Sequence, residues 1–264
     1  MSAATIDLSI VWPALLAGLL VTSTHVPLGI QVLNRGIVFI DLAVAQIAGL
    51  GVISADWFGW EPQGWAVQAA ALAAAIGGAL LLTLTEKLWP DVQEATIGVT
   101  FVVAANAAIL LLASNPHGAE HLKDLLIGQI LWVNPARLPV VAVIYGAILA
   151  IWLGFGARIG RAGFYALFAC AVTVSVQLVG LYLVFTTLIV PALATRRFAH
   201  FRISASYTLG AAGYAAGLGL SLISDLPPGP LIVCTMTALG VVVFAVGPRH
   251  AAKSQVATAE QRSW

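Results

Sequence analysis

Two histidines and a glutamate stand at a spacing that could hold a metal ion. His117 and His121 are four residues apart, and Glu120 directly precedes the second histidine. Residues four apart share one face of an α-helix, and imidazole and carboxylate groups are ligands of first-row metals. A helix-like stretch, residues 117–133, would carry them. The motif predicts a metal-catching group, with solvated surface residues as the alternative interpretation.

Five other polar residues stand singly inside long apolar segments: His25, Asp41, Gln46, Asn106 and Gln177. Polar groups at membrane depth are costly and usually face protein or water, so they often mark a substrate pathway. A neutral imidazole is also a good ligand for zinc or manganese. We predict a pathway role for all five. The alternative for His25, Asn106 and Gln177 is a hydrogen bond within or between helices.

Asp41 and Gln46 differ in their alternatives. Asp41 follows Arg35 by six residues, so it could reach water near the end of its span or pair with that arginine. Gln46 lies five residues further on, about 140° away around a helix, so the two side chains do not share one narrow face. Gln46 could instead bond a neighbouring helix.

The composition of the chain indicates what must position these residues. Hydrophobic residues make up 60% of the 264 positions and charged residues only 9%. A soluble domain has about 25% charged residues, so this chain could not cover a globule with a solvated surface. The apolar runs are continuous and rich in Ala, Leu and Gly, which predicts transmembrane helices rather than alternating strands. The net charge of +1 argues against nucleic-acid binding.

The sequence predicts a single all-α transmembrane bundle over residues 1–248, with about eight or nine spans, and a disordered cytoplasmic tail over 249–264. A span needs roughly 20 residues. The predicted spans lie at about 10–33, 38–57, 65–86, 94–114, 138–156, 163–180, 182–196, 205–223 and 229–247. Gly180 and Pro191 predict that the seventh is short and broken or partly re-entrant.

Basic residues predict the orientation. With the C-terminus inside, Lys123 and Arg137 lie outside, and the other ten basic residues lie inside: Arg35, Lys87, Arg158, Arg161, Arg196, Arg197, Arg202, Arg249, Lys253 and Arg262. Such a bias marks the cytoplasmic side. The cluster formed by Arg196, Arg197 and Arg202 predicts an anchor at lipid headgroups, with contact to a partner ATPase as the alternative.

Several motifs, in order along nearly the whole chain, resemble one family of transporters. They are Leu33-Asn34-Arg35 at the first inner turn, residues 94–98 (EATIG), residues 126–131 (LIGQIL), residues 179–192 from Val-Gly to Leu-Ile-Val-Pro-Ala, and residues 225–229 (DLPPG). Together they resemble the permease subunits of metal-ion ABC importers, which have a type II importer-like fold. In the second span, Leu42 and Gln46 stand where that family often has Asp and His.

The resemblance implies a mechanism and a set of partners. Two copies of the permease form a pore at their interface, a separate cytoplasmic ATPase binds and hydrolyses ATP, and an extracytoplasmic protein delivers the ion. The chain itself would hold no cofactor and catalyse no reaction. The expected cargo is a divalent metal ion, zinc first and manganese or iron next, carried across the bacterial inner membrane. Arg158 and Arg161, on the short connection before the sixth span, are the implied ATPase contacts.

Three rival functions fit the sequence less well. A permease for a chelated metal, such as a siderophore or cobalamin, would be longer. An ATP-independent secondary transporter often shows internal repeats and paired broken helices, which the sequence lacks. An intramembrane enzyme would need a cluster of catalytic groups within the spans, and the polar residues there are scattered.

Overall fold

The computed structural model describes residues 8–60, 64–112, 130–155, 158–198, 200–224 and 226–248. Within them the chain forms nine α-helices: α1 Leu8–Arg35, α2 Ile40–Trp57, α3 Trp65–Leu88, α4 Gln93–Leu112, α5 Leu138–Phe155, α6 Arg161–Val179, α7 Leu181–Ala194, α8 Arg202–Ser224 and α9 Pro228–Val246. The described residues contain no β-strand. The predicted all-α fold is confirmed, and each predicted span matches one helix to within a few residues.

Seven of these helices are long and apolar enough to cross a membrane. The other two are α7 and α8. Helix α7 has 14 residues, so at 1.5 Å per residue it extends about 21 Å, short of the roughly 30 Å hydrocarbon core. Helix α8 has 23 residues, and several glycines, serines and tyrosines make it the less apolar of the long helices.

Gly180 separates α6 from α7. Its φ of 86° lies in the left-handed region, which a glycine adopts without a Cβ penalty. The amide N–H of Gly180 still donates to the Val176 carbonyl, and that of Val184 donates to Gly180. The chain therefore breaks at Gly180, between α6 and α7, and not within the seventh helix as predicted. Pro191 lies inside α7, which continues to Ala194.

The helices form two groups. Helix α2 packs against α3, α4 and α6, and α3 also packs against α6. In the other group α1 packs against α7 and α8, and α9 packs against both α7 and α8. Contacts of α6 with α1 and α7, and of α2 with α7, join the two groups, and α5 packs against α1. Helices α4, α5 and α9 lie at the periphery: in each of these spans, only 22% of an apolar 18-residue stretch is buried.

Close approach at glycines fixes the crossing of α1 over its neighbours. A Cβ on Gly29 would overlap with the Leu188 carbonyl oxygen on α7, and a Cβ on Gly18 would overlap with the Tyr214 ring on α8. Small residues let helix backbones approach, and packing is what holds helices together in lipid.

Two predicted segments fall largely or wholly outside the described residues. Of the predicted helix over 117–133, only its end is described, and Ile130–Trp132 forms a 3-10 turn instead of α-helix. Residue 133, the last of the predicted stretch, is not helical, so the α-helix prediction is wrong at this end. The tail over 249–264 lies outside the described residues.

Candidate functional site

His25 lies deep in α1 and is fully buried. Its Nδ1 atom is 3.0 Å from the Val21 carbonyl oxygen and 3.0 Å from the Thr24 hydroxyl. Its Nε2 atom has no hydrogen-bond partner among the described residues. One ring nitrogen is thus tied to its own helix, as the alternative interpretation expected, while the other is left open for a further ligand or donor.

Pro27 changes the hydrogen bonding beside His25. Because proline lacks an N–H, the carbonyl four residues earlier, that of Ser23, has no intrahelical donor. The Tyr207 hydroxyl on α8 donates to that oxygen at 2.9 Å. A backbone group freed inside the bundle is therefore satisfied by a neighbouring helix, as membrane depth requires. Nothing in the local sequence of α1 identified Tyr207 as the donor.

Asp41 is the second residue of α2, and it is fully buried. Both carboxylate oxygens are without a hydrogen-bond partner in the described part of the chain. Arg35 does not pair with it: the guanidinium carbon lies 4.1 Å from the centre of the Phe164 ring. The expectation that Asp41 reaches water or pairs with Arg35 is therefore wrong. An unpartnered buried carboxylate is costly unless a cation or a proton neutralises it.

A side chain at the start of α4 binds the backbone at the N-terminus of α2. Glu94 Oε1 accepts a hydrogen bond from the Phe39 amide N–H at 3.3 Å, two residues before Asp41. Gln93 beside it donates to the Leu82 carbonyl at 3.0 Å and accepts from the Thr85 hydroxyl at 3.1 Å. These bonds explain the acidic residue at the start of the EATIG motif: it ties α4 to the turn that positions Asp41.

An apolar groove of about 560 Å³ runs between α2 and α4. Its walls include Leu42, Val99 and Val102. Gln46 lies one helical turn beyond Leu42 and is half-buried, and Asn106 lies one turn beyond Val102 and is exposed. Among the described residues, the Asn106 amide donates only to the Val102 carbonyl of its own helix, at 2.8 Å. Both amides thus lie on or beside this outer face, so Asn106 does not bond a neighbouring helix.

Gln177 occupies a different surface. It is exposed, and it lines a second groove of about 560 Å³ between α3, α5 and α6 together with Gln68, Arg137 and Thr173. The Thr173 hydroxyl is buried and has no hydrogen-bond partner in the described residues. The structure therefore does not bring Gln177 next to Gln46 or Asn106.

His25 and Asp41 are also apart. His25 precedes the end of α1 by ten residues, about 15 Å along the axis, whereas Asp41 lies at the start of α2. The turn over residues 36–39 places those two helix ends on the same side. One ion could not touch both side chains at once, and the described residues contain no group of three or more His, Cys, Asp or Glu that could hold a metal ion.

Arg158 and Arg161 lie on the connection between α5 and α6, and both are exposed. Arg161 Nε is 3.6 Å from Glu86 Oε1 at the end of α3, and its side chain remains 62% exposed. Glu86 was not singled out from the sequence, although a charged residue at the end of a span is a visible signal. His117, Glu120 and His121 lie outside the described residues.

Comparison with known proteins agrees with this architecture. Residues 7–158 and 149–247 match the family model described as the ABC 3 transport family. A Haemophilus influenzae protein named "Probable iron transport system membrane protein" is 26% identical over 203 residues, covering 68% of this chain and 71% of that protein.

Two solved structures share the fold. One is PsaBC from Streptococcus pneumoniae in complex with a Fab, with a TM-score of 0.71 and 21% identity, covering 90% of this chain and 92% of that one. The other shows an inward-facing ABC transporter assigned to the metal-chelate type, with a TM-score of 0.67 and 16% identity, covering 93% and 91%. Since the family model spans nearly the whole sequence, the chain belongs to the ABC 3 transport family of importer permeases.

Proposed function

We propose that this chain moves a divalent transition-metal ion into the cytoplasm as the permease of a metal-type ABC importer. Zinc is the first expected ion, and manganese and iron follow; iron gains weight from the name of the Haemophilus influenzae relative. The permease works as a pair of copies with a separate ATPase and an extracytoplasmic binding protein. It belongs in the bacterial inner membrane, with its arginine-rich end and its C-terminus in the cytoplasm.

The observation that carries the proposal is Asp41. A carboxylate buried in a span without a partner is rare, and it usually belongs to an ion pathway. His25 Nε2 offers a second unpartnered ligand atom, about 15 Å away along the helix axes. Two weak sites in succession suit transport better than one tight cage, because an ion must also leave.

The face formed by α2 and α4 supports an interface between copies. Asn106 is exposed there, and in the part of the chain that the structure describes it bonds only within its own helix. An amide turned to lipid would be costly, whereas an amide facing a second copy or a water-filled pore is not. Gln46 borders the same face, so both amides would line the pathway between copies. Gln177 lies near the C-terminal end of α6, and it would act from the separate groove between α3, α5 and α6.

The two ends of the bundle would meet the other partners. Arg158 and Arg161 are exposed just before α6 and at its first residue, which suits contact with an ATPase. His117, Glu120 and His121 would receive the ion on the outer side.

A chelated metal is the second candidate cargo. The groove between α2 and α4 has apolar walls, and Leu42 stands there where the family often has an acidic ligand. A pathway with few charged ligands favours a cargo whose metal is already wrapped by an organic ligand. Membership of the ABC 3 family removes the ATP-independent transporter from consideration.

The test is uptake into liposomes that contain the full chain with the ATPase of the same system. Zinc, manganese, iron and an iron–siderophore complex are compared one by one. We expect one bare ion to be taken up in an ATP-dependent manner. Asp41→Asn should reduce its uptake at least roughly tenfold, because the negative charge that attracts the cation is lost.

Asp56→Asn is the matched control, because it makes the same chemical change in the same helix near its other end. It should leave uptake within about twofold. Uptake of the chelate alone would replace the bare ion by the second candidate. Uptake of none of the four, with the ATPase active, would contradict both.

A further inference from the structure

Two adjacent arginines share one aromatic ring at the end of α7. The guanidinium carbon of Arg197 lies 4.1 Å from the centre of the Phe244 ring on α9, and that of Arg196 lies 5.2 Å from it. Neither guanidinium donates a hydrogen bond to another described residue. A third arginine, Arg202, lies at the same end and donates to the Ala192 carbonyl at 3.3 Å. The arginines are thus held in place without an anionic partner among the described residues.

The surrounding helices supply no negative charge. The described residues of α7, α8, α9 and their connections contain no Asp or Glu. The acidic residues of the described chain, Asp41, Asp56, Glu86, Asp91 and Glu94, all belong to α2, α3, α4 and the turn before α4. Positive charges gathered on a surface without compensation attract an anion from outside the chain.

An apolar groove of about 380 Å³ begins beside the arginines. It lies between α7 and α9, and its walls include Leu193, Thr237 and Val241, with Arg196 and Phe244 at one end. Gly240 forms its floor, because a Cβ there would overlap with Val190 across the helix contact. Val241 is 63% exposed and Leu193 is 39% exposed, so the groove opens on the outer surface of the bundle.

We propose that this groove binds an anionic phospholipid. The phosphate of the headgroup lies against Arg196 and Arg197, whose planar guanidinium groups donate paired hydrogen bonds to phosphate oxygens. One acyl chain follows the apolar groove between α7 and α9. Basic pockets between transmembrane helices are a recurring form of lipid recognition. The proposal depends on the membrane fold and not on the identity of the transported metal.

The groove favours a lipid over a protein partner. An acidic surface on an ATPase could meet the arginines, but it would leave the adjacent apolar channel uncovered. A phospholipid satisfies both features at once, because it joins a negative headgroup to an apolar chain. The cation–π contacts with Phe244 also hold the guanidinium groups at the mouth of the groove.

Native mass spectrometry of the full-length chain, released from detergent and titrated with phosphatidylglycerol or phosphatidylcholine, tests the proposal. We expect tighter binding of phosphatidylglycerol. A basic residue near an anionic lipid contributes about fivefold, so Arg196→Gln with Arg197→Gln should weaken its binding roughly 30-fold. Lys87→Gln is the matched charge control, on α3 away from the groove, and it should change binding less than about twofold.

A second variant tests the groove without touching the charges. Thr237→Phe places a ring in the groove from the exposed side of α9, and it should weaken phosphatidylglycerol binding while the arginines remain. Thermal unfolding in lipid-free detergent checks that each variant is folded. Equal affinity for the two lipids, or unchanged affinity in both variants, would refute the lipid site. Unchanged lipid affinity with loss of ATPase co-purification would show instead that the arginines contact the ATPase.

Discussion

The two helix groups of this bundle use different means to hold together. Glycines allow close approach in both groups, as at Gly29 against Leu188 and at Gly51 against Ala70. Helices α1, α7, α8 and α9 also exchange hydroxyl hydrogen bonds, such as Thr187 with Tyr214 at 2.9 Å and Thr195 with Ser206 at 2.7 Å. Every acidic residue of the described chain belongs to α2, α3, α4 or the turn before α4. Several of those groups, including both oxygens of Asp41, lack partners among the described residues.

This difference divides the bundle into a scaffold, formed by α1, α7, α8 and α9, and a working region, formed by α2, α3, α4 and α6. The working region is the part in which carboxylate oxygens lack partners among the described residues. In the first group the buried hydroxyls of the described residues have hydrogen-bond partners, and the unpartnered buried polar atoms there are His25 Nε2 and Arg202 Nε. In the second group unpartnered carboxylate oxygens of Asp41 and Glu94 belong to the two helices that form the α2–α4 groove, and one of Glu86 lies at the end of α3. Polar groups left open in a dense interior are typical of places where an ion, a water or a second conformation completes the bonding.

The largest loss of stability is expected for Gly29→Ala, in the scaffold. The added Cβ would overlap with the Leu188 carbonyl oxygen, a backbone atom that cannot rotate away. We expect the free energy of unfolding to fall by about 3 kcal/mol, at the upper end of overpacking costs. Reversible unfolding in mixed detergent micelles measures it.

Gly98→Ala is the matched control in the other group, where a Cβ meets nothing within 4 Å. Alanine stabilises a helix relative to glycine by about 0.5–1 kcal/mol, so this variant should be as stable as the wild type or more so. Equal destabilisation by both variants would contradict the division into scaffold and working region.

A smaller effect is expected for Tyr214→Phe. The Thr187 hydroxyl donates to the Leu183 carbonyl at 2.7 Å, so the Tyr214 hydroxyl must donate to Thr187. Removing that donor leaves Thr187 bonded within its own helix, and we expect a loss of about 1 kcal/mol in the same unfolding assay. Tyr182→Phe, on an exposed ring of α7, should change stability by less than about 0.3 kcal/mol; a similar loss there would mean that the hydrogen bond is not the cause.

The ion pair between Arg161 and Glu86 should contribute less. Because Arg161 is 62% exposed, water and salt screen the pair, and exposed pairs typically contribute about 0–1 kcal/mol. A double-mutant cycle with Arg161→Gln and Glu86→Gln should give a coupling energy under about 0.5 kcal/mol. A coupling above about 1 kcal/mol would make this connection part of the rigid scaffold.

The smallest effect on folding is expected for Asn106→Leu. The side chain is exposed and bonds only to its own helix, so the unfolding free energy of the single chain should change by less than about 0.5 kcal/mol. Association of two copies, followed by energy transfer between labelled chains in liposomes, should change if this face is the interface. Unchanged association would remove Asn106 from the proposed contact between copies.

The sequence by itself determined where the helices lie. Continuous apolar runs of about 20 residues leave helices as the only backbone form that satisfies its own hydrogen bonds in lipid, and the helix bounds follow the predicted spans. Gly180 was also visible in advance, because a glycine between two apolar runs can adopt a positive φ that other residues avoid.

Only the tertiary structure decided which polar residues lack a hydrogen-bond partner among the described residues. Asp41 and Arg35 are close in sequence, yet the arginine stacks on Phe164 and the carboxylate is buried without it. Tyr207 satisfies the carbonyl of Ser23, 184 residues away in the chain. The local sequence sets the period of a helix. The rotation of each helix against its neighbours depends instead on packing between segments that are distant in the chain. Because that rotation decides which side chains face each other, it selects the partner of each polar group.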